Sequence, residues 1–361
     1  MTSLVIQTAF LGDVVLTTPL LAVLAGRHGP VDVMTTPAAA PLLETHPAVR
    51  TVIAYDKRGK DRGWRGLRAL ARRVGAEAYE SAYLPHRSLR TAALAWMAGI
   101  PRRVGFAGPW SMLYTESIQR PPGPRPGRGG SAMPEEEPGR PRVMHPPLGT
   151  HESQRLLALV GEEATVRPVR LHPTDADAEA AVALLQSAGI GDDFVTMAPG
   201  SIWGTKRWPY FSDLAAWLGR RSPVVVVGGP EDAPLGEAIV TAVRDAGSPA
   251  LNACGRLTLR QSAALIGLAR LLVTNDSAPL HLATAMGTRV VAIFGPTVPE
   301  FGFGPLAYDD AVIGVGGLAC RPCSAHGPPR CPLKHHHCMT KLAADYVEAA
   351  IEEIGALHRR N

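Results

Sequence analysis

The stretch Leu271–Pro296, LLVTNDSAPLHLATAMGTRVVAIFGP, decides the fold of this chain. Its first three residues are β-prone, Ala278–Met286 has the composition of a helix that Gly287 would end, and Arg289–Phe294 is a second apolar run. This order predicts a βαβ unit with its loop at the carboxyl end of a parallel strand. Open α/β sheets bind ligands at that edge, so the loop is a candidate binding site.

Polar residues in this loop suit either the helix or a ligand. Asp276 and Ser277 could cap the helix, and on spacing alone capping and ligand binding are equally plausible. His281 lies about one turn further along the helix, near the end where free N–H groups and the helix dipole favour a phosphate. A lone histidine on a helix usually packs in a core, but at this position it indicates a diphosphate contact.

The stretch Phe194–Pro209, FVTMAPGSIWGTKRWP, supplies a second loop of this kind. An apolar strand runs into a Pro-Gly-Ser turn at residues 199–201, and Lys206 and Arg207 follow. The glycine and serine would let the backbone approach a ligand, and the two cations can meet its charge. The spacing of a Walker motif is absent, so a lysine and helix ends would hold the phosphates.

Three separated motifs resemble one known family. The segments IQTAFLGDVVLTTPLL (residues 6–21), PGSIWGTKRWP (199–209) and NDSAPLHLATAMGTRVVAIFGPT (275–297) are similar to the bacterial ADP-heptose:lipopolysaccharide heptosyltransferases of glycosyltransferase family 9. The tail CPLKHHHCM (331–339) is most similar to the heptosyltransferase II branch. The resemblance implies an α/β GT-B fold, with two Rossmann-like doubly wound domains facing a central cleft. It also implies an inverting transfer of L-glycero-D-manno-heptose from ADP-heptose to the Kdo/heptose-lipid A inner core.

Length and charge agree with two domains and an anionic partner. The 361 residues, 46% of them hydrophobic, can bury two cores. Residues 1–170 carry 22 basic and 14 acidic side chains, against 15 and 18 in the remainder, so an anionic partner should meet the first half. The alternative is a basic solvated surface. No nucleic-acid-binding motif is present, so no nucleic acid is expected as a partner.

The N-terminal stretch is apolar but differs from a signal peptide. It lacks a basic start, and Asp13 interrupts the apolar run. No uninterrupted apolar run reaches the roughly 18 residues of a membrane span. We therefore expect a cytoplasmic protein, and a monomer is expected as well. Because the acceptor is a lipid, transient contact with the cytoplasmic face of the inner membrane is also predicted.

The first domain is expected to carry the catalytic base. Leu4–Ile6 predicts its first strand, Gly12-Asp13 the following turn and Val14–Ala25 a helix. Spacing alone favours a helix cap for Asp13. The family resemblance instead implies that Asp13 is the base, with Lys206 as the second catalytic residue.

Basic residues after two predicted strands are candidates for the acceptor. Residues 56–73 hold eight basic and two acidic side chains, and a His-Arg pair follows the strand Tyr83–Leu84. Such groups suit Kdo carboxylates and lipid A phosphates, which arginine can bind through two hydrogen bonds. The candidate acceptor-binding residues are Lys57, Arg58, Lys60, Arg62, His86, Arg87 and Arg90.

Composition and the resemblance together predict the domain boundaries. Residues 121–149 contain 9 Pro and 6 Gly, which predicts a flexible segment without regular structure. His151-Glu152 then opens a helix, for which capping is favoured over acceptor binding. The acceptor-binding domain would span 1–170 and the donor-binding domain 171–341. A helix at 342–358 would pack back on the first domain, as in GT-B folds.

The second domain is expected to bind the donor. Its predicted parallel strands are Phe194–Ala198, Val224–Val227, Ala250–Asn252, Leu271–Val273 and Val290–Phe294. Glu231 follows the second of these, where an acidic residue can accept hydrogen bonds from a ribose, as the family resemblance also implies. The candidate donor-binding residues are Ser201, Lys206, Glu231, Asp276, Ser277, Ala278 and His281.

Four cysteines near the end have the spacing C-x2-C-x7-C-x6-C. Cys320, Cys323, Cys331 and Cys338 could close a structural zinc site, and reduced thiols in a loop are the equal alternative. No cofactor is expected for the chemistry. Other functions stay open: a related transferase using another nucleotide sugar, a non-catalytic sugar-nucleotide or lipopolysaccharide-binding protein, or a GT-B-fold epimerase.

Overall fold

The protein is described by a computed structural model of residues 2–121, 139–146 and 149–357. Contacts divide these residues into two compact units. The first unit contains residues 2–121 and 152–172, and the second contains 139–146, 149–151 and 173–357.

The first unit is a parallel sheet with helices on both faces. The sheet has the order β3-β2-β1-β4-β5-β6. Its strands are β1 Ser3–Ile6, β2 Val31–Thr35, β3 Val49–Ala54, β4 Ser81–Leu84, β5 Arg102–Phe106 and β6 Glu116–Ile118. Its α-helices are α1 Leu11–Leu16, α2 Thr18–His28, α3 Gly63–Ala76, α4 Leu89–Met97 and α5 Glu152–Leu157.

Two apolar layers hold the helices of the first unit on the sheet. Leu20 and Leu24 of α2 pack with Val5 and Val33 on one face. The helices α3 and α4 cover the other face, where they pack on Leu4 of β1. Side chains alternate across a strand, so β1 supplies both layers, and a parallel strand covered on both faces is apolar throughout.

The second unit repeats the architecture with one antiparallel edge. Its sheet has the order β10-β9-β8-β11-β12-β13-β7, in which only β7 is antiparallel. The strands are β7 Pro141–Met144, β8 Val195–Ala198, β9 Val224–Val226, β10 Ala250–Asn252, β11 Leu271–Asn275, β12 Arg289–Ile293 and β13 Ala311–Val315. The helices are α6 Asp175–Ser187, α7 Phe211–Gly219, α8 Ala233–Asp245, α9 Leu259–Leu268, α10 Ala278–Met286, α11 His337–Thr340 and α12 Ala344–Glu353. Two α/β units built on parallel sheets confirm the predicted fold class.

The edge strand β7 corrects the expectation for residues 121–149, which were predicted to lack regular structure. Residues 141–144 pair with β13, with Ile313 opposite Val143 and Val315 opposite Pro141. Pro141 is the first residue of an edge strand, a position at which proline is tolerated. The remainder of the predicted flexible segment at 122–138 and 147–148 lies outside the described residues.

The helix predicted at Val14–Ala25 is two helices, and this changes the place of Asp13. The helix α1 already starts at Leu11, and α2 begins at Thr18 with a proline in its first turn. Proline lacks an N–H and fixes its own backbone, which favours a new helix start there. Asp13 is therefore the third residue of α1 rather than a residue that precedes a helix.

The C-terminal helix α12 is shorter than the predicted 342–358 and is part of the second unit. Val347, Ala350 and Ile351 belong to the core of that unit, and α12 packs against α7, β12 and β13. Its expected contact with the first domain stays a prediction. Within the described ranges, no helix has both the length and the apolarity needed to cross a bilayer.

Candidate functional site

The carboxylate of Asp13 lies at the carboxyl edge of the first unit's sheet, just after β1. Its Oδ2 accepts the backbone N–H of Phe10 at 3.1 Å, so the side chain closes the first turn of its own helix. Asp13 therefore caps the helix from its third position, and Phe10, rather than Asp13, is the N-cap residue. A cap does not exclude catalysis, because the other carboxylate oxygen keeps its lone pairs.

The surroundings of Asp13 favour its protonated form. Burial and then the nearby carboxylate of Glu152 raise the pKa of Asp13 to about 6, against the Phe10 N–H and Arg120, which lower it. A base with a pKa close to neutral pH combines an ionised state with real proton affinity. Asp13 thus has the proton affinity that a general base needs.

Glu152 at the start of α5 is held by two arginines. Its Oε2 lies 2.5 Å from Nη2 of Arg120 and 3.5 Å from Nη1 of Arg155. Arg155 and Glu152 are buried, 3% and 5% exposed, so the charges are concentrated in a region of low dielectric. These partners were missed in the sequence, where Glu152 was interpreted as a helix cap.

Two of the seven candidate acceptor residues converge at the same edge. Nζ of Lys57 donates to the carbonyl of Thr8 at 2.8 Å. Burial, then the charges of Lys57 and Arg87, lowers the pKa of His86, and within the described chain its buried Nδ1 has no hydrogen-bond partner. The hydroxyl of Thr8 is likewise buried without a partner among these residues. A polar ligand could satisfy both groups.

Of the other candidate acceptor residues, Arg90 bonds to other parts of the fold, and the rest have exposed side chains. Arg90 bonds the Tyr55 hydroxyl and donates to the carbonyl of Asp61 at 2.8 Å, so its guanidinium already joins parts of the fold. The exposed loop between Asp56 and Asp61 is organised by backbone N–H groups that donate to the Asp56 carboxylate. The exposed side chains are those of Arg58, Lys60, Arg62 and Arg87.

In the second unit, Lys206 and Asp276 form a buried ion pair. Nζ of Lys206 lies 2.5 Å from Oδ2 of Asp276, and the Thr297 hydroxyl donates to the same oxygen at 2.6 Å. Three loops meet here, after β8, β11 and β12. The sequence predicted a ligand-binding loop after β8 and another after β11, and the structure brings these two loops into contact. Thr297 was missed, although it follows the predicted strand that ends the opening stretch.

Asn275 fastens the two main loops together. Its side-chain oxygen accepts the Trp208 N–H at 3.1 Å, and its side-chain nitrogen donates to the carbonyl of Pro199 at 2.8 Å. Gly200 was expected to let the backbone approach a ligand, but the group close to it is a side chain of the protein itself. A Cβ there would lie 2.2 Å from a carboxylate oxygen of Asp232, so the glycine makes room for that buried side chain.

The start of α10 offers unsatisfied polar groups. Ser277 is the residue before the helix, and within the described residues its buried Oγ and Nδ1 of His281 have no hydrogen-bond partner. Burial lowers the pKa of His281 to about 4; Asp276 opposes this shift and Lys206 adds to it. The imidazole is therefore neutral at pH 7. Pro279 has no N–H and the N–H of Leu280 donates to the Ser277 carbonyl, so the backbone of this end offers a phosphate the N–H of Ala278.

Ser201 and Glu231 lie at the ends of β8 and β9. The Ser201 hydroxyl accepts the Trp203 N–H at 3.2 Å, and the Ser201 carbonyl accepts Nε of Arg207 at 2.9 Å. Glu231 is exposed just after β9. Its position at the strand end agrees with the expected ribose contact, which stays a prediction.

The cysteine-rich segment 320–338 supports both sides of the ion pair. Nη2 of Arg321 donates to the carbonyls of Phe294 and Thr297 at 2.8 and 3.0 Å. On the other side, Nε2 of His336 is 2.7 Å from the carbonyl of Thr205, the residue before Lys206. The segment therefore fixes the loops that position Lys206 and Asp276.

The cysteines themselves do not confirm a zinc site. All are free thiols, and in the part of the chain that the structure describes no three His, Cys, Asp or Glu residues are grouped to hold a metal ion. Burial raises the pKa of the Cys323 thiol and raises that of Cys338 to about 12. Zinc binds thiolates, so both groups would have to lose a proton first. Cys338 packs in the apolar core.

Known proteins share both the sequence pattern and the fold. The model of Glycosyltransferase family 9 (heptosyltransferase) matches residues 143–333, more than half of the chain. Lipopolysaccharide heptosyltransferase 2 of Escherichia coli is 25% identical over 326 residues, which are 86% of this chain and 87% of that protein. Lipooligosaccharide heptosyltransferase 2 of Campylobacter jejuni serotype O:6 is 33% identical over 172 residues, 46% of this chain and 52% of that protein. The chain spans about half the length of that relative.

Solved structures extend the likeness over nearly the whole chain. A family 9 glycosyl transferase from Veillonella parvula superposes with a TM-score of 0.79 at 23% identity, covering 98% of this chain and 96% of that one. The E. coli ADP-heptose lps heptosyltransferase II gives a TM-score of 0.72 at 22% identity, with 98% of each chain covered. These neighbours establish the GT-B class of fold, and with the sequence match they show that the chain belongs to glycosyltransferase family 9.

Proposed function

We propose that the protein is an inverting glycosyltransferase that moves L-glycero-D-manno-heptose from ADP-heptose to the Kdo/heptose-lipid A inner core of lipopolysaccharide. The names of its relatives support this choice of donor and acceptor. The observation that carries it is the pair of charged sites: Asp13 with a pKa of about 6 in one unit, and the buried Lys206–Asp276 pair in the other.

In this mechanism, Asp13 removes the proton of the acceptor hydroxyl. The oxygen then attacks the anomeric carbon from the face opposite ADP, which inverts the configuration, and the bond to the diphosphate breaks. The ammonium of Lys206 and the start of α10 meet the charge that grows on the leaving diphosphate. No cofactor is needed for these steps. General-base catalysis of this kind typically contributes about 10²–10⁴-fold in rate.

The other donor residues would orient the nucleotide sugar. Ser277 and His281 offer unsatisfied groups beside Lys206, and Ala278 offers its backbone N–H. Neutral His281 can donate one hydrogen bond and accept another. Glu231 would accept from the ribose hydroxyls, and Ser201 would contribute from the loop after β8.

The acceptor would bind to the first unit. Lys57 and His86 at the sheet edge would contact the inner-core sugar nearest to Asp13. The exposed cations Arg58, Lys60, Arg62 and Arg87 would meet carboxylates and phosphates further out. Arg90 would hold the surrounding loops through its bonds to Tyr55 and Asp61.

The setting of the enzyme is also part of the proposal. We expect a cytoplasmic monomer with a peripheral contact to the inner membrane, because the acceptor is a lipid. A structural zinc on the four cysteines is supported by their spacing alone. Metal analysis of the purified protein tests it.

One product assay separates the candidate functions. The protein is incubated with ADP-heptose and Kdo-lipid A acceptors that carry or lack a first heptose, each component is omitted in turn, and products are read by mass spectrometry. An acceptor heavier by one heptose, formed only in the complete mixture, is expected. Replacing the donor with ADP-mannose tests another nucleotide sugar. Free sugar formed without an acceptor would indicate an epimerase, and binding without product would indicate a binding protein.

A further inference from the structure

Large apolar side chains are exposed on one helical layer of the first unit. Trp64 at the start of α3 is 66% exposed, Trp96 near the end of α4 is 57% exposed, and Leu89 is 42% exposed. Leu89 and Trp96 are seven residues apart, so they lie on the same side of α4. The helices α3 and α4 pack against each other on one face of the sheet, so their outer sides belong to the same layer of the unit.

The outer side of α3 is strongly basic. Arg65, Arg68 and Arg72 are exposed and follow one another at spacings of three and four residues, which places them on one face. The opposite face, which includes Leu67 and Leu70, is buried in the core. The helix contains no acidic residue, so nothing on it neutralises the arginines.

The two helices begin side by side at the edge of the sheet that carries Asp13. Nη2 of Arg90 in α4 donates to the carbonyls of Asp61 and Gly63 at 2.8 and 3.4 Å, which ties the start of α4 to the start of α3. Each helix follows a strand of a parallel sheet, so its first turn lies at the carboxyl edge. Asp13 follows β1 at this edge, within the same unit.

We propose that this outer layer of Trp64, Arg65, Arg68, Arg72, Leu89 and Trp96, the α3–α4 surface, docks on a lipid bilayer that carries anionic headgroups. The inference rests on the proposed function, because a lipid-anchored acceptor must be met at a membrane. Tryptophan is favoured at the membrane–water interface, where its ring is half apolar and half polar. Long arginine side chains reach headgroup phosphates while their stems cover apolar surface.

A bilayer fits this surface better than a protein partner does. Its exposed apolar side chains lie on two neighbouring helices, and the exposed arginines of α3 accompany them, which is the composition of interfacial helices. Docked in this way, the sheet edge with Asp13 lies beside the lipid surface. The inner-core sugars attached to lipid A would then reach the base without leaving the membrane.

Vesicle binding tests the proposal without any acceptor. Sedimentation is measured with phosphatidylcholine vesicles and with vesicles that also contain phosphatidylglycerol, both free of lipopolysaccharide. The wild type should bind the anionic vesicles more tightly, and added salt should weaken this binding. The double variant Arg68→Gln/Arg72→Gln should lose roughly 25-fold in affinity, since each arginine near an anionic surface contributes about fivefold. Trp64→Ser/Trp96→Ser should weaken binding to both kinds of vesicle.

Matched substitutions on the second unit serve as controls. Arg220→Gln/Arg256→Gln removes the same charge from exposed positions, and Tyr308→Ser removes an aromatic ring that is 81% exposed. Both should bind vesicles as the wild type does. Equal binding by the wild type and the α3–α4 variants, or an equal loss in the controls, overturns the proposal.

A soluble acceptor separates this inference from the proposed function. With a de-acylated, water-soluble inner-core acceptor, the α3–α4 variants should keep wild-type turnover, and with acceptor in vesicles they should lose it. Loss of turnover on both acceptors would contradict a docking role. Normal vesicle binding without any heptose transfer would instead refute the proposed function and leave the docking surface in place.

Discussion

The ammonium of Lys206 lies 2.5 Å from a carboxylate oxygen of Asp276, and both side chains are buried. The two residues are 70 positions apart in the sequence. This contact holds the Lys206 ammonium at the carboxyl edge of the second sheet. The ion pair and its supporting contacts lead to the first two predictions.

Removing Lys206 should affect both stability and function. Lys206→Ala leaves Asp276 buried without its counter-ion, and we expect the free energy of unfolding to fall by about 3 kcal/mol. The double variant Lys206→Ala/Asp276→Ala should be more stable than the single one, because no unpaired charge remains. Denaturant unfolding measures this. Calorimetry with ADP should show weaker binding in both variants, and turnover measurements should show a lower rate. The single variant Asp276→Ala should also bind the donor more weakly. Recovery of activity in the double variant would contradict the role of Lys206.

The hydroxyl of Thr297 should act through Asp276. Thr297→Val keeps the shape of the side chain but removes the bond to Asp276. A hydrogen bond to a charged group is worth about 1.5–3 kcal/mol, so kcat/KM for the donor should fall roughly 10- to 100-fold. Thr297→Ser restores the hydroxyl and should restore the rate. A normal rate in the valine variant together with a loss in the serine variant would show that the methyl group, and not the hydroxyl, matters.

Replacement of Asp13 by asparagine should lower the turnover rate and raise the free energy of unfolding. We expect Asp13→Asn to lower kcat by about 10²–10⁴-fold with ADP-heptose affinity unchanged. The folded-state pKa of about 6 exceeds the ordinary 3.8, so the stability linked to this group is present at low pH and is lost as the pH rises through 6. At pH 7 the asparagine variant should therefore be more stable by about 1–3 kcal/mol. Normal turnover would reduce Asp13 to a helix cap.

The carboxylate of Glu152 should shift the acid limb of the pH–rate profile, whose position burial of Asp13 mainly determines. In the wild type, turnover should rise as Asp13 ionises near pH 6 and then level off. Glu152→Gln removes a neighbouring negative charge, so the pKa of Asp13 should fall and the rise should move to lower pH. Profiles of kcat/KM over pH 4 to 8 measure the shift, about one unit or less. An unchanged midpoint would show that burial alone raises this pKa.

Local pattern was sufficient for much of the second sheet. The helix α10 has the predicted bounds Ala278–Met286, because Gly287 adopts the left-handed conformation that ends it. Strand β10 also has the predicted bounds. The apolar runs of parallel strands and their glycine stops are local signals, and they are readable from a single sequence.

Contacts between loops that are distant in the sequence could not be predicted from local patterns. The loop motifs predicted that Lys206 and Asp276 serve one ligand, but their direct pairing and the bond from Thr297 depend on how three loops meet. The partners of Asp13 are likewise distant, since Glu152 and Arg120 come from segments over 100 residues away in the chain. Pairing across the fold, rather than local propensity, sets these charges.

Strand β7 has a practical consequence for dividing the protein. A fragment that begins at residue 171, the boundary predicted from sequence, would lack β7, so β13 would pair with β12 on one side and leave its other edge open. Open strand edges promote association between molecules, so this fragment should aggregate. A fragment that ends at residue 170 would in turn carry β7 without its pairing partner. The protein is therefore best studied as an undivided chain.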